Sequence, residues 1–437
     1  MERDLDRAES EETAVLVAVQ LQKVSDEETS ESLNELEALV RTAGAGVASS
    51  IVQKRSHYDP AALLGKGKIE EVEAAVQSSG ASMVIFDNQL TVTQQDRLNS
   101  AFQTKVIDRT ALILDIFAQH AHTREGRTQV ELAQLAYLLP RIRGKGLELS
   151  RLGGGIGTRG PGETKLEEDR RRIRRRMRKL EHDLARMEEV RSTQRKQRTR
   201  AGFPSVCLVG YTNSGKSSLL NRLTGAEVTV EDQLFSTLDS TTRKLSLPDG
   251  RRVVLSDTVG FIRKLPHELV AAFRSTLEVV HRADLLVHVV DASAGDAVND
   301  RMEAVGEVLE DLSALTIPTM IAFNKVDLLE EGQRRYLCRA YPDSAQVSAL
   351  SAEGVDELLH LVEKRLASNG SVTLSIPAAR GDIIAAVYRD GHVTGRILEE
   401  ENILLRVSLP IEKMEGYRRY VISDGRDEPV IANSDLT

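Results

Sequence analysis

Residues Val206 to Ser218, V-C-L-V-G-Y-T-N-S-G-K-S-S, constrain this chain more than any other stretch. The apolar run Val206 to Val209 reads as a buried parallel strand, and Gly210 to Ser217 then fit G-x-x-x-x-G-K-S with no mismatch. A strand, a phosphate-binding loop and a helix in that order belong to a parallel α/β sheet with its site at the strand C-termini. Gly210 and Gly215 permit backbone angles and close approaches that a side chain would block. The N–H groups of Tyr211, Thr212, Asn213 and Ser214 can therefore turn inward toward phosphates. Lys216 then reaches the outer phosphates, and the Ser217 hydroxyl can ligate Mg²⁺ at the N-terminus of the following helix.

The remaining parts of a guanine-nucleotide site follow in order. Phe235-Ser236-Thr237-Leu238-Asp239 precedes a hairpin with the turn Asp249-Gly250, and Thr237 is the candidate switch threonine that completes the Mg²⁺ shell beside a γ-phosphate. A strand from Arg252 ends in Asp257-Thr258-Val259-Gly260. There Asp257 would bind Mg²⁺ through water and the Gly260 N–H can donate to the γ-phosphate. After the strands at Leu285 and Thr319 comes Asn324-Lys325-Val326-Asp327. The Asp327 carboxylate can accept from two adjacent N–H donors that guanine presents and adenine does not, while Asn324 suits the other edge. Ser348-Ala349-Leu350 can offer a backbone N–H to the guanine oxygen. An ATPase reading fails at Asp327. In Ras-like enzymes a glutamine after the D-x-x-G glycine orients the attacking water, but here Phe261 stands there. Intrinsic hydrolysis is therefore expected to be slow. Asn213 resembles the asparagine that some GTPases use to hold K⁺.

At 437 residues the chain exceeds one ordinary core. Its acidic start lacks the basic and apolar regions of a secretory signal, and no apolar run approaches the length of a membrane span, so a cytoplasmic protein is expected. Two cysteines, Cys207 and Cys338, form no CxxC pair, and no metal site from His or Cys emerges. The net charge is −8, yet residues 141–200 hold 20 Lys+Arg against 9 Asp+Glu. A positive block inside an acidic chain is the footprint of a polyanionic partner, and a solvated charged helix is the plainer explanation.

Strand and helix patterns alternate over residues 13–122, which predicts a small parallel α/β domain after a disordered tail, 1–12. Its segment Leu64-Gly65-Lys66-Gly67-Lys68 is either an anion-holding turn or a helix-capping loop with solvated lysines, and both readings stand. Residues 123–200 read as a basic helical hairpin. A first helix spans Arg127 to Leu139. The long second one, Thr164 to Gln197, places Leu166, Ile173, Met177, Leu180, Leu184 and Met187 on a heptad seam. Arg170, Arg171, Arg174, Arg175 and Arg178 form the outer face, and the Gly-rich loop from Gly144 to Glu163 carries Arg151 and Arg159. Arg174 and Arg175 lack an acidic residue three or four positions away, which weakens the solvated-helix explanation. Residues 201–368 are the nucleotide domain, and 369–437 read as a small α+β domain of no legible function. The fold class is α/β.

On these residues the chain resembles the HflX-type GTPases. The likeness is most specific in Gly126 to Leu139, in the loop G-G-G-I-G-T-R-G-P-G-E-T from Gly153 to Thr164, in Phe235 to Arg243 and in Asp257 to Leu265. It implies a GTP/GDP-cycling protein that binds the large ribosomal subunit and its rRNA through hairpin and loop and helps split or rescue stalled ribosomes; a monomer is expected. It also implies an N-terminal domain that binds ATP, near Lys66 and Lys68. Ser240 departs from the family's usual proline. A ribosome-assembly GTPase would use the same sites and charge. An ATP-dependent RNA remodeller would need a second phosphate loop, which the sequence lacks.

Overall fold

The computed structural model describes residues 12–142, 161–200, 203–225, 234–235, 241–264, 279–368, 371–399, 401–409 and 411–423. Residues 1–11 of the expected N-terminal tail, the Gly-rich loop with Arg151 and Arg159, and Ser236, Thr237, Leu238 and Asp239 lie outside the described residues. The chain divides into two compact units. The first holds the described residues of 1–189 with those of 230–240 and 259–277. The second holds those of 190–229, 241–258 and 278–437.

The first unit is built on a parallel sheet of order β2-β1-β3-β4, from β1 (Thr13–Leu21), β2 (Gly46–Arg55), β3 (Met83–Phe86) and β4 (Lys105–Asp108). The β1 residues Ala14 to Gln20 are all buried, as expected of a central parallel strand covered on both faces. Helices α1 (Asp26–Thr42), α2 (Lys66–Ser79) and α3 (Val92–Phe102) separate the strands. Side chains at the helix starts satisfy orphan N–H groups: Ser25 caps α1, and Thr91 forms a capping box with Gln94. The sequence pattern assigns no element to 109–122, yet α4 (Arg109–His120) runs there, capped by Asp108. Its first six residues, Arg109 to Leu114, are all buried, and exposure begins only at Asp115, Ala118 and Gln119, so the amphipathic period is weak.

Helix α5 (Arg124–Leu138), capped by Thr123, begins slightly before the predicted helix, and α6 runs from Pro161 to Arg200. Leu180 on the seam of α6 is buried, and Arg176 makes two 2.6 Å bonds to the Glu131 carboxylate of α5. Arg170 does not simply face outward, for its guanidinium donates to Ile142 O at 3.1 Å. Arg171, Arg172, Arg174, Arg175 and Arg178 are exposed. The base of the hairpin is tied to the sheet. The Tyr137 hydroxyl donates to Asp108 Oδ1 at 3.0 Å, and Arg141 stacks over the Tyr137 ring.

Two short segments from further along the chain pack into this unit. Phe235 meets Phe117 edge-on with centroids 4.7 Å apart, and Leu234 N–H donates to Thr42 Oγ1 at 3.3 Å. Arg263 pairs with Glu28 and Glu31, while Lys264 reaches Ser32 and Asp87.

The second unit contains a six-stranded sheet of order β10-β9-β8-β5-β7-β6: β5 (Ser205–Val209), β6 (Thr242–Ser246), β7 (Arg252–Asp257), β8 (Leu285–Asp291), β9 (Thr319–Asn324) and β10 (Ala345–Gln346). All neighbours are parallel except the β6–β7 hairpin. Helices α7 (Lys216–Thr224), α8 (Ala297–Asp311), α9 (Glu331–Ala340) and α10 (Val355–Ser368) belong to it. Val206, Leu208, Leu255, Val287 and Val289 pack with Leu219, Leu220 and Leu358, which fixes α7 against the sheet and so sets where the loop before it stands. Residues 371–423 form β11 (Ser371–Pro377), α11 (Gly381–Asp390), β12 (His392–Glu399), β13 (Asn402–Ser408), α12 (Ile411–Tyr417) and β14 (Val421–Ser423). The antiparallel order β12-β13-β11-β14 with two helices is a split β-α-β arrangement.

Candidate functional site

Gly210 leaves β5 at φ +154°, and a Cβ built there would stand 2.3 Å from Val289 O. Gly215, at φ +86°, directly precedes α7, and its Cβ would stand 2.2 Å from Asn324 Nδ2. Neither position admits a side chain, and Asn213 between them is also left-handed at φ +58°. The motif glycines are thus required by close packing on both flanks of the loop.

Within the loop the Lys216 ammonium donates to Gly210 O at 3.1 Å and Tyr211 O at 2.7 Å. Burial pushes its pKa down to about 8, with the Asp257 carboxylate acting the other way. The Ser217 hydroxyl donates to Asp257 Oδ2 at 2.6 Å. Burial holds the Asp257 carboxyl above the ordinary carboxylate range, against the pull of Lys216 and Ser217. Thr258, whose hydroxyl donates to Leu208 O at 2.8 Å, fixes the end of β7 to β5.

Three buried polar atoms here have no protein partner: Thr212 Oγ1, Ser214 Oγ and Asp257 Oδ1. An orphaned buried polar atom is costly, and a cluster of them around a phosphate-binding loop marks where a polar ligand completes the structure. A hydroxyl and a carboxylate oxygen side by side, with a second carboxylate oxygen free, are the hard donors that Mg²⁺ takes. The residues therefore fit the ion.

Asn324 ends β9 and joins two loops. Its Nδ2 donates to Ser214 O at 2.9 Å, and its Oδ1 accepts from Ala349 N–H at 3.0 Å. The base-edge role expected of Asn324 is thus accompanied by a bracing one. Lys325, left-handed at φ +64°, turns its ammonium onto Asp291 Oδ2 at 2.8 Å. Val326 is buried, whereas Asp327 opens an exposed turn with its carboxylate facing solvent. Ser348, Ala349 and Leu350 follow β10. Gly354 closes this loop so tightly that a Cβ would meet Gln346 O at 1.9 Å.

The fold therefore brings together Gly210 to Ser217, Asp257, Thr258, Asn324 to Asp327 and Ser348 to Leu350 in the second unit. Val259 and Gly260 are buried and group with the first unit, as do Phe261 and Ile262, which are 2% and 1% exposed. Neither apolar side chain can hold a water. At Lys66 and Lys68, α2 starts from Gly65, whose N–H donates to Gln53 Oε1, and Lys68 pairs with Glu71 at 2.7 Å. Sequence reasoning missed Asp291, Arg301 and Arg222. Arg301 lies 5.5 Å over the Tyr211 ring, and the Arg222 guanidinium donates to Ala349 O and Leu350 O. No local motif marks these side chains, because their partners are distant in sequence.

Four family models match the chain in succession: GTP-binding GTPase N-terminal over 30–118, GTP-binding GTPase Middle Region over 120–198, 50S ribosome-binding GTPase over 205–325 and HflX C-terminal domain over 338–420. The chain is 46% identical over 420 residues to the GTPase HflX of Caldanaerobacter subterraneus subsp. tengcongensis, covering 95% of each. It belongs to the HflX GTPase family. The HflX of Escherichia coli (strain K12) is 43% identical over 410 residues, 93% of this chain and 95% of that one. Among solved structures, a GTP-binding protein from the hyperthermophilic archaeon Sulfolobus solfataricus in complex with GDP is 24% identical. It covers 81% of this chain and 98% of that one, with a TM-score of 0.42. As an HflX GTPase the chain binds and hydrolyses GTP. Among the described residues no helix is long and apolar enough to cross a membrane.

Proposed function

We propose that this HflX GTPase binds the large ribosomal subunit in its GTP state and helps split or rescue stalled ribosomes. One observation carries the ribosome reading: Arg171, Arg172, Arg174, Arg175 and Arg178 stand exposed on α6, a basic stripe on a chain of net charge −8. The match of 205–325 to the model described as 50S ribosome-binding GTPase supports the same partner. The stripe would meet rRNA, and the loop with Arg151 and Arg159 would be the working tip. The protein would act in the cytoplasm as a monomer, with the five segments 1–12, 13–122, 123–200, 201–368 and 369–437 as its domains.

In the nucleotide site the loop N–H groups from Tyr211 to Lys216 hold the phosphates. Lys216 moves its ammonium from the Gly210 and Tyr211 carbonyls onto the outer phosphate oxygens. Ser217 and Thr237 would ligate Mg²⁺ directly and Asp257 through water. The ion, when bound, neutralises charge developing on the phosphates. Thr237 and the Gly260 N–H would sense the γ-phosphate, with Phe235, Ser236, Leu238 and Asp239 flanking Thr237 along the switch segment. Asp327 and the Ser348 to Leu350 backbone would read guanine, and Asn324 holds the loops that carry them. Intrinsic turnover would be slow, because Phe261 cannot orient water, and the ribosome would raise it. Asn213 would hold K⁺ as an added positive charge at the phosphates. Lys68 is already paired with Glu71, so an ATP site at α2 has weaker support than the GTP site.

Sedimentation with purified ribosomes under GTP, GDP and a non-hydrolysable GTP analogue tests this reading by scoring bound protein and free subunits. Binding with the analogue and free subunits with GTP are expected. Equal binding in all three states would sink it. Binding to immature large subunits alone would favour the assembly GTPase instead.

A further inference from the structure

Arg222 lies on α7, the helix whose first turn carries Lys216 and Ser217. From there its guanidinium reaches the loop after β10, donating from Nε to Ala349 O at 2.9 Å and from Nη2 to Leu350 O at 2.6 Å. A forked donor gripping two successive carbonyls fixes orientation as well as distance. On the opposite flank, Ala349 N–H is held by Asn324 Oδ1, and the same asparagine donates to Ser214 O in the phosphate loop.

Peptide planarity gives this grip a consequence. Ala349 C=O and Leu350 N–H belong to one trans peptide unit and point in opposite directions. Holding the carbonyl on Arg222 therefore turns the Leu350 N–H away from α7, and that N–H has no hydrogen-bond partner among the described residues. The Leu350 side chain is 81% exposed, so no hydrophobic packing holds the loop from that end. Ala349 packs in the core and Ser348 N–H bonds to Glu353 O at 2.9 Å, so the loop is seated from below, and the two polar braces set the orientation of the Ala349–Leu350 peptide.

We infer that Arg222 is a positioning residue for purine recognition, setting the backbone N–H of Leu350 for the 6-oxo edge of the base. The inference deepens the guanine reading above and rests on it. It makes the site selective for 6-oxopurine nucleotides through a side chain that touches no part of the nucleotide. Phosphate binding and base reading then share α7 as their common support.

The test uses the full-length protein and three triphosphates: GTP, ITP (6-oxo without the 2-amino group) and 2-aminopurine riboside triphosphate (2-amino without the 6-oxo group). Arg222→Ala is expected to weaken GTP and ITP about tenfold each, the size of a lost charge-assisted bond. The 2-aminopurine nucleotide, which carries hydrogen and no oxygen at C6, should shift less than twofold. The loss should fall in KM with kcat at saturation unchanged, and Arg222→Lys, which keeps the charge and one donor, should recover part of it. An equal loss on all three nucleotides would reduce Arg222 to a general support of the fold and overturn the inference, as would no loss on any. Should the alanine variant fail to fold, the lysine variant carries the same comparison, with a smaller and still base-selective loss expected. Asp327→Asn is the separate control for the parent reading, since it should weaken GTP more than ITP. If it does not, the guanine reading itself fails whatever Arg222 does.

Discussion

Lys264 Nζ lies 2.5 Å from Asp87 Oδ2, joining the segment after the D-x-x-G motif to the end of β3 across 177 residues of sequence. The other Asp87 oxygen accepts from Arg109 Nε at 3.0 Å and Nη2 at 2.7 Å, and Ser32 Oγ donates to both oxygens. Arg109 in turn reaches Glu35 at 2.6 Å. Lys264 holds a left-handed φ of +57°, a conformation that bulky residues adopt at a cost of order 1 kcal/mol and keep only when surroundings determine it. The Asp87 carboxylate is that determinant on its side-chain end.

This relationship predicts an acid sensitivity. Burial raises the Asp87 pKa, but Arg109 and Lys264 beside it more than offset that and hold it at about 2 against an ordinary 3.8. A carboxylate with a depressed folded pKa stabilises the fold fully above its unfolded value. It should lose that contribution, ~2 kcal/mol, as pH falls from about 4 through 2. Asp87→Asn should remove it at neutral pH and cost more, about 3 kcal/mol, because Arg109 then lacks one of its buried partners. Hydrogen exchange of the β1 and β3 amides checks both. Protection unchanged in the asparagine variant would show the network to be energetically idle.

Lys216 predicts the opposite direction of pH effect, on ligand affinity. Its folded pKa is lowered to about 8, so above that pH the free protein holds a neutral amine that phosphate binding must reprotonate. GTP affinity measured by titration should therefore be level below about pH 7 and fall up to tenfold per unit above pH 8. A flat profile to pH 9 would mean the lysine stays charged in the free loop. Lys216→Ala should abolish triphosphate binding or turnover while leaving the first unit folded.

Gly215→Ala tests the packing of the loop. The new methyl would stand 2.2 Å from Asn324 Nδ2 on a backbone at φ +86°. Asn324 must then yield, releasing both Ser214 O and Ala349 N–H. Two hydrogen bonds at about 1 kcal/mol each give an expected affinity loss of tenfold or more, read by GDP titration. Retention of wild-type affinity would show that the brace is dispensable.

Much of this was legible in the sequence because the relevant physics is local. A phosphate loop, a D-x-x-G turn and an N-K-x-D turn each use residues within a few positions of one another, and strands such as Val206 to Val209 announce themselves by apolar runs. Helix α4 escaped because Ala111 to Leu114 run as four consecutive apolar residues, which blurs the helical period. The grips of Lys264 on Asp87, Arg222 on Ala349 and Arg109 on Glu35 escaped for another reason. They join residues 177, 127 and 74 positions apart, and a single sequence carries no signal for such pairs.

Replacing Asp327 with Asn should exchange base preference. The carboxylate opens an exposed turn, so the substitution leaves the core intact and changes only what the site can accept from a base. Losing a charged acceptor costs about 1.5 to 3 kcal/mol, roughly 10- to 150-fold in affinity for GTP. Xanthine, which carries an oxygen where guanine has its 2-amino group, can accept from the new amide and should bind better than guanine. Competition between GTP and XTP measures this directly, and unchanged preference for GTP would remove Asp327 from base recognition.

The salt dependence of ribosome binding separates a working arginine face from a solvated one. If Arg174 and Arg175 meet rRNA phosphates, each neutralised phosphate releases a condensed counterion, and log affinity should fall linearly with log salt. Substituting both with Gln should lower that slope by about one unit for each phosphate left unneutralised, while basal GTP hydrolysis without ribosomes stays unchanged because the phosphate loop lies in the other unit. Arg176→Gln is the internal contrast. Its guanidinium is already bound to Glu131, so it should cost some hairpin stability and leave the slope within error of wild type. Equal slopes for both variants and the wild-type protein would mean that the exposed arginines of α6 contribute solubility and do not touch the RNA.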